Sequence, residues 1–150
     1  MTNQTSDTTD ANSALLPPAI VFHDLADAKA ALAAAAALGK PVTLLSAPGA
    51  ASYAGPGWFR AVVEQARATH PDAEAVAVLD CGDRPGHALA ALREGVTAIR
   101  FSGRTAGKIE DIAAQYGALV VRDRPEALDL HEVSGDPAAA CRAWLETRTA

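Results

Sequence analysis

The stretch from residue 75 to residue 101, AVAVLDCGDRPGHALAALREGVTAIRF, contains the unit on which the fold is built. It begins with a short apolar run, Ala75–Leu79, which is typical of a strand buried on both faces. Pro85 suits the first turn of a helix, and Gly95 suits the position just past a helix end. A second apolar run, Ala98–Phe101, follows. The pattern predicts a strand, a helix and a second strand parallel to the first.

The same alternation continues on both sides of this unit. Strands are predicted over residues 19–22, 41–45, 75–79, 98–101 and 118–121, and helices over 25–38, 58–69, 85–94, 106–116 and from 137 onward. Right-handed crossovers and a length of 150 residues favour an α/β fold in three layers. The predicted sheet is doubly wound, parallel and five-stranded, with the flavodoxin-like strand order 2-1-3-4-5. A closed barrel would need eight such units.

The chain is predicted to consist of one domain behind a polar tail. Residues 1–16 are rich in Thr, Ser and Asn and are predicted to be disordered, because they cannot bury enough apolar surface to offset ordering. Residues 17–150 are predicted to form a single α/β domain. The tail lacks the features of a secretory signal, and no run approaches the ~20 apolar residues of a membrane helix. With two cysteines and no disulfide framework, these features predict a soluble, cytoplasmic protein that does not bind membranes.

Composition argues against one class of partner. The net charge of −5 leaves no basic excess to neutralise nucleic-acid phosphates. The few aromatic residues, 5% of the chain, are not interleaved with basic residues as a base-stacking platform would require. We therefore expect a small anionic ligand or a protein partner, and no nucleic acid.

Polar residues follow every predicted strand. Ligands of open parallel sheets bind at the carboxyl ends of the strands, where the strand order reverses. The residues at those ends are His23 and Asp24 after strand 1, Ser46 and Gly49 after strand 2, Asp80 after strand 3, Ser102, Gly103 and Arg104 after strand 4, and Arg122 and Arg124 after strand 5. Of these, His23, Asp24 and Asp80 are the catalytic candidates and the others are the ligand-binding candidates. The alternative is that these loops are polar only because they meet water.

Two glycine-containing segments favour contact with an anion. The loop that holds Gly49 lets the backbone approach a ligand closely, although it lacks the dinucleotide-binding spacing. The segment SGRTAGK, residues 102–108, departs from the spacing of the phosphate-binding loop of nucleoside triphosphatases. It could instead cradle a phosphate, or Thr105 could simply cap the following helix.

The segment LDCGDRPGHA, residues 79–88, concentrates acidic, thiol and imidazole groups. Carboxylates with one thiol do not select a common metal, so we predict no metal site. The acids on either side of Cys81 disfavour its thiolate, which argues against a nucleophile. Asp83 is predicted to cap the helix that opens at Pro85. Asp80, at the end of an internal strand, is the residue that these interpretations leave without a role.

The positions of several polar residues resemble a response-regulator receiver domain. The segment VFHD places Asp24 after strand 1, VLDCGDRPG places Asp80 where the phosphoacceptor stands, IRFSG places Ser102 after strand 4, and GALVVRDRP places Arg124 before a proline. The resemblance implies a regulatory domain that binds Mg²⁺ and is phosphorylated on Asp80. Only one acid follows strand 1, and Arg124 stands where a lysine is expected, a change that is not conservative. It therefore implies a degenerate receiver, and we predict no cofactor.

Three classes of function remain open. The first is a small regulatory or binding domain, receiver-like and either monomeric or homodimeric. The second is a binder of a small anionic or phosphorylated metabolite that uses the ligand-binding candidates. The third is a small lyase or transferase with Asp80 or His23 as the acid/base. The sequence leaves open whether the protein is an enzyme.

Overall fold

The computed structural model describes residues 12–148 and has an α/β fold. The strands are β1 (Ala19–Val21), β2 (Val42–Leu45), β3 (Ala75–Asp80), β4 (Ala98–Arg100), β5 (Leu119–Val121) and β6 (Ala127–Asp129). The helices are α1 (Leu25–Leu38), α2 (Ala50–Tyr53), α3 (Gly55–Thr69), α4 (Pro85–Arg93), α5 (Ala106–Tyr116) and α6 (Pro137–Glu146), with a 3-10 turn at Leu130–Glu132. Of the predicted polar tail, residues 1–11 lie outside the described residues, and residues 12–14 are helical.

The strands form one parallel sheet in the order β5-β4-β3-β2-β1-β6. The prediction of an α/β fold with a parallel sheet is confirmed, but the five-stranded doubly wound order 2-1-3-4-5 is wrong. From β1 to β5 each crossover moves to the next position in the same direction. A right-handed crossover that always moves in one direction places its helix on the same face of the sheet. The local pattern of a strand followed by a helix is the same in a doubly wound sheet and in the observed sheet. The sequence pattern therefore does not reveal in which direction successive crossovers move.

The two faces of the sheet carry different side chains. Large residues on one face pack in the cluster that contains the helices, among them Ile20, Phe22, Leu79, Ile99 and Phe101. The other face is lined by small or medium residues from all six strands, namely Ala19, Val21, Leu45, Val76, Val78, Ala98, Leu119, Val121 and Ala127. No helix residue among the described residues belongs to that second cluster. Leu16, from the segment before β1, packs against the same cluster. Helices on both faces, as the predicted three layers require, are therefore not seen among the described residues.

The connection between β5 and β6 shows that the sheet is strongly curved. These strands are the two edges of the sheet, and a flat sheet of this size would separate them by about 24 Å. The six steps from Val121 to Ala127 span about 22 Å at most, and the chain must also return to the start of a parallel strand. The edges must therefore curl toward each other, as in a barrel. Arg124, in this connection, accordingly reaches Asp80 at the end of β3 and Ser46 just after β2.

Local signals explain the helix ends. Asp24 caps α1, and Gly39 ends it with a positive φ of 62°, so the helix has the predicted range 25–38. Asp136 caps α6 by accepting the N–H of Ala138, and Pro137 opens that helix where the sequence predicts. The segment after β2 that was expected to be a loop is largely helical, because it contains α2 and the first turn of α3. No helix within residues 12–148 is long and apolar enough to cross a bilayer.

Candidate functional site

The carboxyl ends of β1 and β6 bring a histidine and an aspartate together. In the register of these strands Val21 lies opposite Asp129, and His23 follows two residues later. Its Nε2 atom lies 2.7 Å from Oδ1 of Asp129, and both side chains are largely buried, at 18% and 30% exposed. This pair lies at the carboxyl ends of the strands, which is where ligands of parallel sheets bind.

A second histidine packs against the first. The 3-10 turn after β6 places His131 so that its ring stacks on His23, with centroids 3.4 Å apart and planes 8° apart. The backbone N–H of His131 donates to Oδ1 of Asp129 at 2.9 Å. Asp129 therefore accepts hydrogen bonds from both histidines, one from a ring and one from the backbone.

These contacts determine the charge of Asp129. Burial by itself would raise the pKa of Asp129, but the hydrogen bonds from His23 and His131 and the two nearby imidazoles outweigh burial and lower it. An ionised carboxylate only accepts hydrogen bonds, so Nε2 of His23 must carry the proton in this pair. In the neutral ring Nδ1 then holds the free lone pair. The pair can therefore accept a proton at Nδ1 and return it, as a general acid/base requires.

A cavity of about 350 Å³ adjoins this pair. It is lined by Phe22, His23, Asp24, Ala47, Ala50, Tyr53, Ala54, Trp58 and His131. Phe22 and Trp58 stack with centroids 6.0 Å apart and planes 18° apart, and Tyr53 is 70% exposed at the cavity. The cavity therefore combines an aromatic wall with two imidazoles and a carboxylate, which is the mixture that small polar ligands use.

Asp24 belongs both to this cavity and to the start of α1. Its carboxylate accepts the N–H of Asp27 at 2.8 Å, while Asp27 accepts the N–H of His23 at 2.9 Å. This arrangement differs from a capping box in one contact, because Asp27 accepts the N–H of His23, one residue before the cap, instead of the N–H of Asp24. The side chain of Asp27 thus holds the backbone of His23 in place, while Asp24 caps α1 and is also one of the residues that line the cavity.

Asp80 lies in a separate, buried network. Its side chain is fully buried, with Oδ2 2.8 Å from Arg124, and Oδ1 2.8 Å from the N–H of Gly82 and 3.5 Å from Arg100. Its own N–H donates to the hydroxyl of Ser46 at 2.8 Å, and the carbonyl of Ser46 accepts from Arg124 at 3.0 Å. The structure therefore brings Asp80, Ser46 and Arg124 together. His23 pairs with Asp129 instead of Asp80, because β2 lies between β1 and β3.

The remaining ligand-binding candidates are dispersed. Arg122 donates twice to Glu110 at 2.7 Å, and this pairing raises its pKa. The N–H of Ser102 donates to the carbonyl of Gly82, and Gly103 packs against the ring of Phe101. Arg104 is exposed, and Gly49 starts α2 with a φ of 65°. An anion-binding role for these residues stays a prediction.

The thiol of Cys81, in the LDCGDRPGHA segment, is not activated as a nucleophile. Burial, helped by the charge of Asp80, raises the pKa of Cys81 to about 12, so the thiolate is disfavoured at neutral pH. Asp83 does not cap α4, because the cap position is Arg84. Among residues 12–148 no three His, Cys, Asp or Glu side chains are grouped so as to hold a metal ion.

The sequence reasoning missed Asp129, His131 and the aromatic wall. β6 has three residues and no apolar run, so no pattern predicts it. His131 comes from the turn that β6 positions, and Trp58 was expected only as the start of a helix. The acid at 129 and the imidazole at 131, two positions apart, were the available signal, and their functional meaning follows only from the pairing of β6 with β1.

No protein-family model matches the chain. Its sequence is similar to curated proteins named fructose-bisphosphate aldolase. The protein of Cupriavidus necator, named fructose-bisphosphate aldolase, plasmid, is 31% identical over 131 residues, which cover 87% of this chain and 38% of that protein. Those of Nostoc sp. strain PCC 7120 and Nostoc commune are 28% identical over 131 residues, which cover 87% of this chain and 36% of each relative. The chain thus spans less than two fifths of the length of these relatives.

Proposed function

We propose that this chain is a small-molecule-binding α/β domain whose ligand is a sugar or a sugar phosphate held in the cavity beside His23 and His131. The observation that carries the proposal is the pair of His23 and Asp129, at 2.7 Å, in the wall of a cavity at the carboxyl ends of a parallel sheet. The names of the relatives support the ligand class, since fructose bisphosphate is a phosphorylated sugar.

Amide chemical shifts during titration with D-fructose and with fructose 1,6-bisphosphate test this proposal. We expect shifts that saturate and that cluster at residues 22–24, 47–58 and 131. The His23→Ala variant should lose them, whereas the matched His87→Ala variant, altered on α4 away from the cavity, should keep them. The proposal is wrong if neither compound shifts these residues, or if the shifts cluster elsewhere.

A lyase is the second candidate, and the free Nδ1 of His23 favours it. In such an enzyme Nδ1 would take the proton of a hydroxyl β to the ligand carbonyl, and the C–C bond beside that hydroxyl would break to release an aldehyde. The same proton would then return to the carbon of the remaining carbonyl fragment, while Asp129 stabilises the imidazolium that forms in between. Release of aldehyde from the sugars that bind should then fall about 10²-fold or more in His23→Ala, the scale of acid/base catalysis. Asp129→Asn should lower the rate while retaining ligand binding. If the wild-type protein binds a sugar but releases no aldehyde, the lyase candidate is wrong and the binding function remains.

A receiver-like regulatory role has less support in the geometry. The carboxylate of Asp80 is fully buried and both of its oxygens accept hydrogen bonds, so a phosphoryl donor would have to displace Arg124. Asp24 and Asp80 also follow strands that are not neighbours. If Asp80 is phosphorylated nevertheless, acetyl phosphate with Mg²⁺ should add one phosphoryl group that Asp80→Asn abolishes.

A further inference from the structure

We infer that the cavity selects an uncharged polyhydroxylated ligand, such as a free sugar or a small hydroxy-carbonyl compound, over its phosphorylated counterpart. The inference rests on the proposed function, because it concerns the ligand class of the same cavity. It separates this chain from its relatives, whose name refers to a bisphosphate. Three features of the described residues support it.

The first feature is the charge of the cavity wall. None of the described residues that line it is Lys or Arg, and its one formally charged group is the carboxylate of Asp24. Asp129, directly behind His23, keeps its negative charge because its pKa is lowered. A phosphate group carries nearly two negative charges and is normally bound by cations or free N–H groups. Here it would instead meet the carboxylate of Asp24, with the charge of Asp129 behind His23.

The second feature is the start of α1, which borders the cavity. Helix starts often bind phosphate through free N–H groups and the helix dipole. In this helix the carboxylates of Asp24 and Asp27 already accept the N–H groups of Asp27 and His23. Two carboxylates therefore lie beside this helix start, and their charge disfavours the approach of a phosphate.

The third feature is the aromatic wall. Trp58 stacks against Phe22, and Tyr53, which is 70% exposed, also lines the cavity. Aromatic faces pack well against the C–H face of a sugar, while its hydroxyls reach polar groups at the edge. Here Nδ1 of His23 and the carboxylate of Asp24 can accept hydroxyl hydrogen bonds. These groups match a neutral polyol better than an anion.

Guanidinium groups near the cavity are engaged elsewhere. Arg124 is the cation of the neighbouring β2 end, and it donates to the carboxylate of Asp80 and to the carbonyl of Ser46. Turning it toward a phosphate would leave the fully buried Asp80 without its closest partner. Such a loss is costly for a buried carboxylate. A phosphorylated ligand thus gains no compensating cation from this arginine.

Tryptophan fluorescence can test this selectivity, because one of the two tryptophans lines the cavity. In a Trp144→Phe background, Trp58 is the sole tryptophan reporter. It is titrated with three matched pairs, namely D-fructose and fructose 1,6-bisphosphate, D-glucose and glucose 6-phosphate, and dihydroxyacetone and its phosphate. At least one uncharged compound should bind about tenfold or more tightly than its phosphorylated partner, because like charges facing each other disfavour binding.

Two variants sharpen the test. Asp24→Asn removes the wall charge while asparagine remains a good helix cap, so the variant should narrow the selectivity by strengthening phosphate binding. Tyr53→Ala should weaken every member of a pair alike, since it removes stacking surface and no charge. Phosphorylated compounds that bind as tightly as their partners, or more tightly, would overturn the inference and leave the proposed function standing. No response to any compound would overturn both.

Discussion

The buried Asp80 allows a quantitative prediction of stability. Asp80→Asn keeps the shape of the side chain and removes its charge, which leaves Arg124 and Arg100 without their carboxylate partner. Removing one partner of a buried ion pair costs about 3–5 kcal/mol. The two guanidinium side chains are 23% and 21% exposed, so water offsets part of the loss, and we expect the lower end, about 3 kcal/mol. For a chain of this size the midpoint of thermal unfolding should fall by about 6–12 °C.

Urea unfolding followed by circular dichroism measures this change. The matched control is Asp83→Asn, the same substitution three residues along the chain, where the side chain is 76% exposed and 3.9 Å from an exposed Arg84. The control should change the free energy of unfolding by less than about 0.5 kcal/mol. Adding Arg124→Gln to Asp80→Asn should recover part of the loss, because the uncompensated cation is then removed as well. The reasoning fails if Asp80→Asn is as mild as the control, or if the double variant loses the sum of both single effects.

Three further outcomes follow from the structure. Cys81 should react with a thiol reagent at pH 8 only after urea unfolding, because burial keeps its pKa near 12; rapid labelling of folded protein would contradict this. The lowered pKa of Asp129 means that its stabilisation is present above the unfolded pKa of about 3.9 and is lost as pH falls through the folded value. Asp129→Asn should therefore be destabilising at pH 7, and its cost should shrink as the pH is lowered below about 3.9; a cost that does not change with pH would be inconsistent. Gly103→Ala places a Cβ 2.6 Å from a ring carbon of Phe101 and should lower the free energy of unfolding by about 1–3 kcal/mol. Gly107→Ala places its Cβ in open space within a helix and should raise the free energy of unfolding by about 0.5–1 kcal/mol. Equal effects of the two substitutions in urea unfolding would refute the packing argument.

Local patterns predicted most of the elements but not their arrangement. The apolar runs and the Gly and Pro signals located five strands and the helices that connect them. They failed at β6, because three residues without an apolar run carry no periodicity. They also failed to choose the direction of the crossovers, since each βα unit is the same in a doubly wound sheet and in a curled one. Small residues such as Ala19 and Ala98 suit the inner face of the curved sheet, which is the face opposite the helices. The reason why these positions hold small residues becomes visible only once the strand order is known.

The candidate site shows the same division. His23 and Asp24 were expected at the end of the first strand, and both line the cavity. Asp80 was expected to share a site with them because strands 1 and 3 would be neighbours in the order 2-1-3-4-5. Because β2 lies between those strands, Asp80 instead pairs with Arg124, which lies in the connection between the edge strands β5 and β6.

The sequence by itself determined the fold class, the main helices and the polar character of the strand ends, because these depend on periodicity and end signals within a few neighbouring residues. The tertiary structure alone decided which strand ends meet. Pairing of β6 with β1 joins residues more than 100 positions apart, and it converts an isolated His23 into a pair with Asp129. Such long-range pairing depends on how the whole sheet buries its inner face, and no local stretch of sequence contains that information.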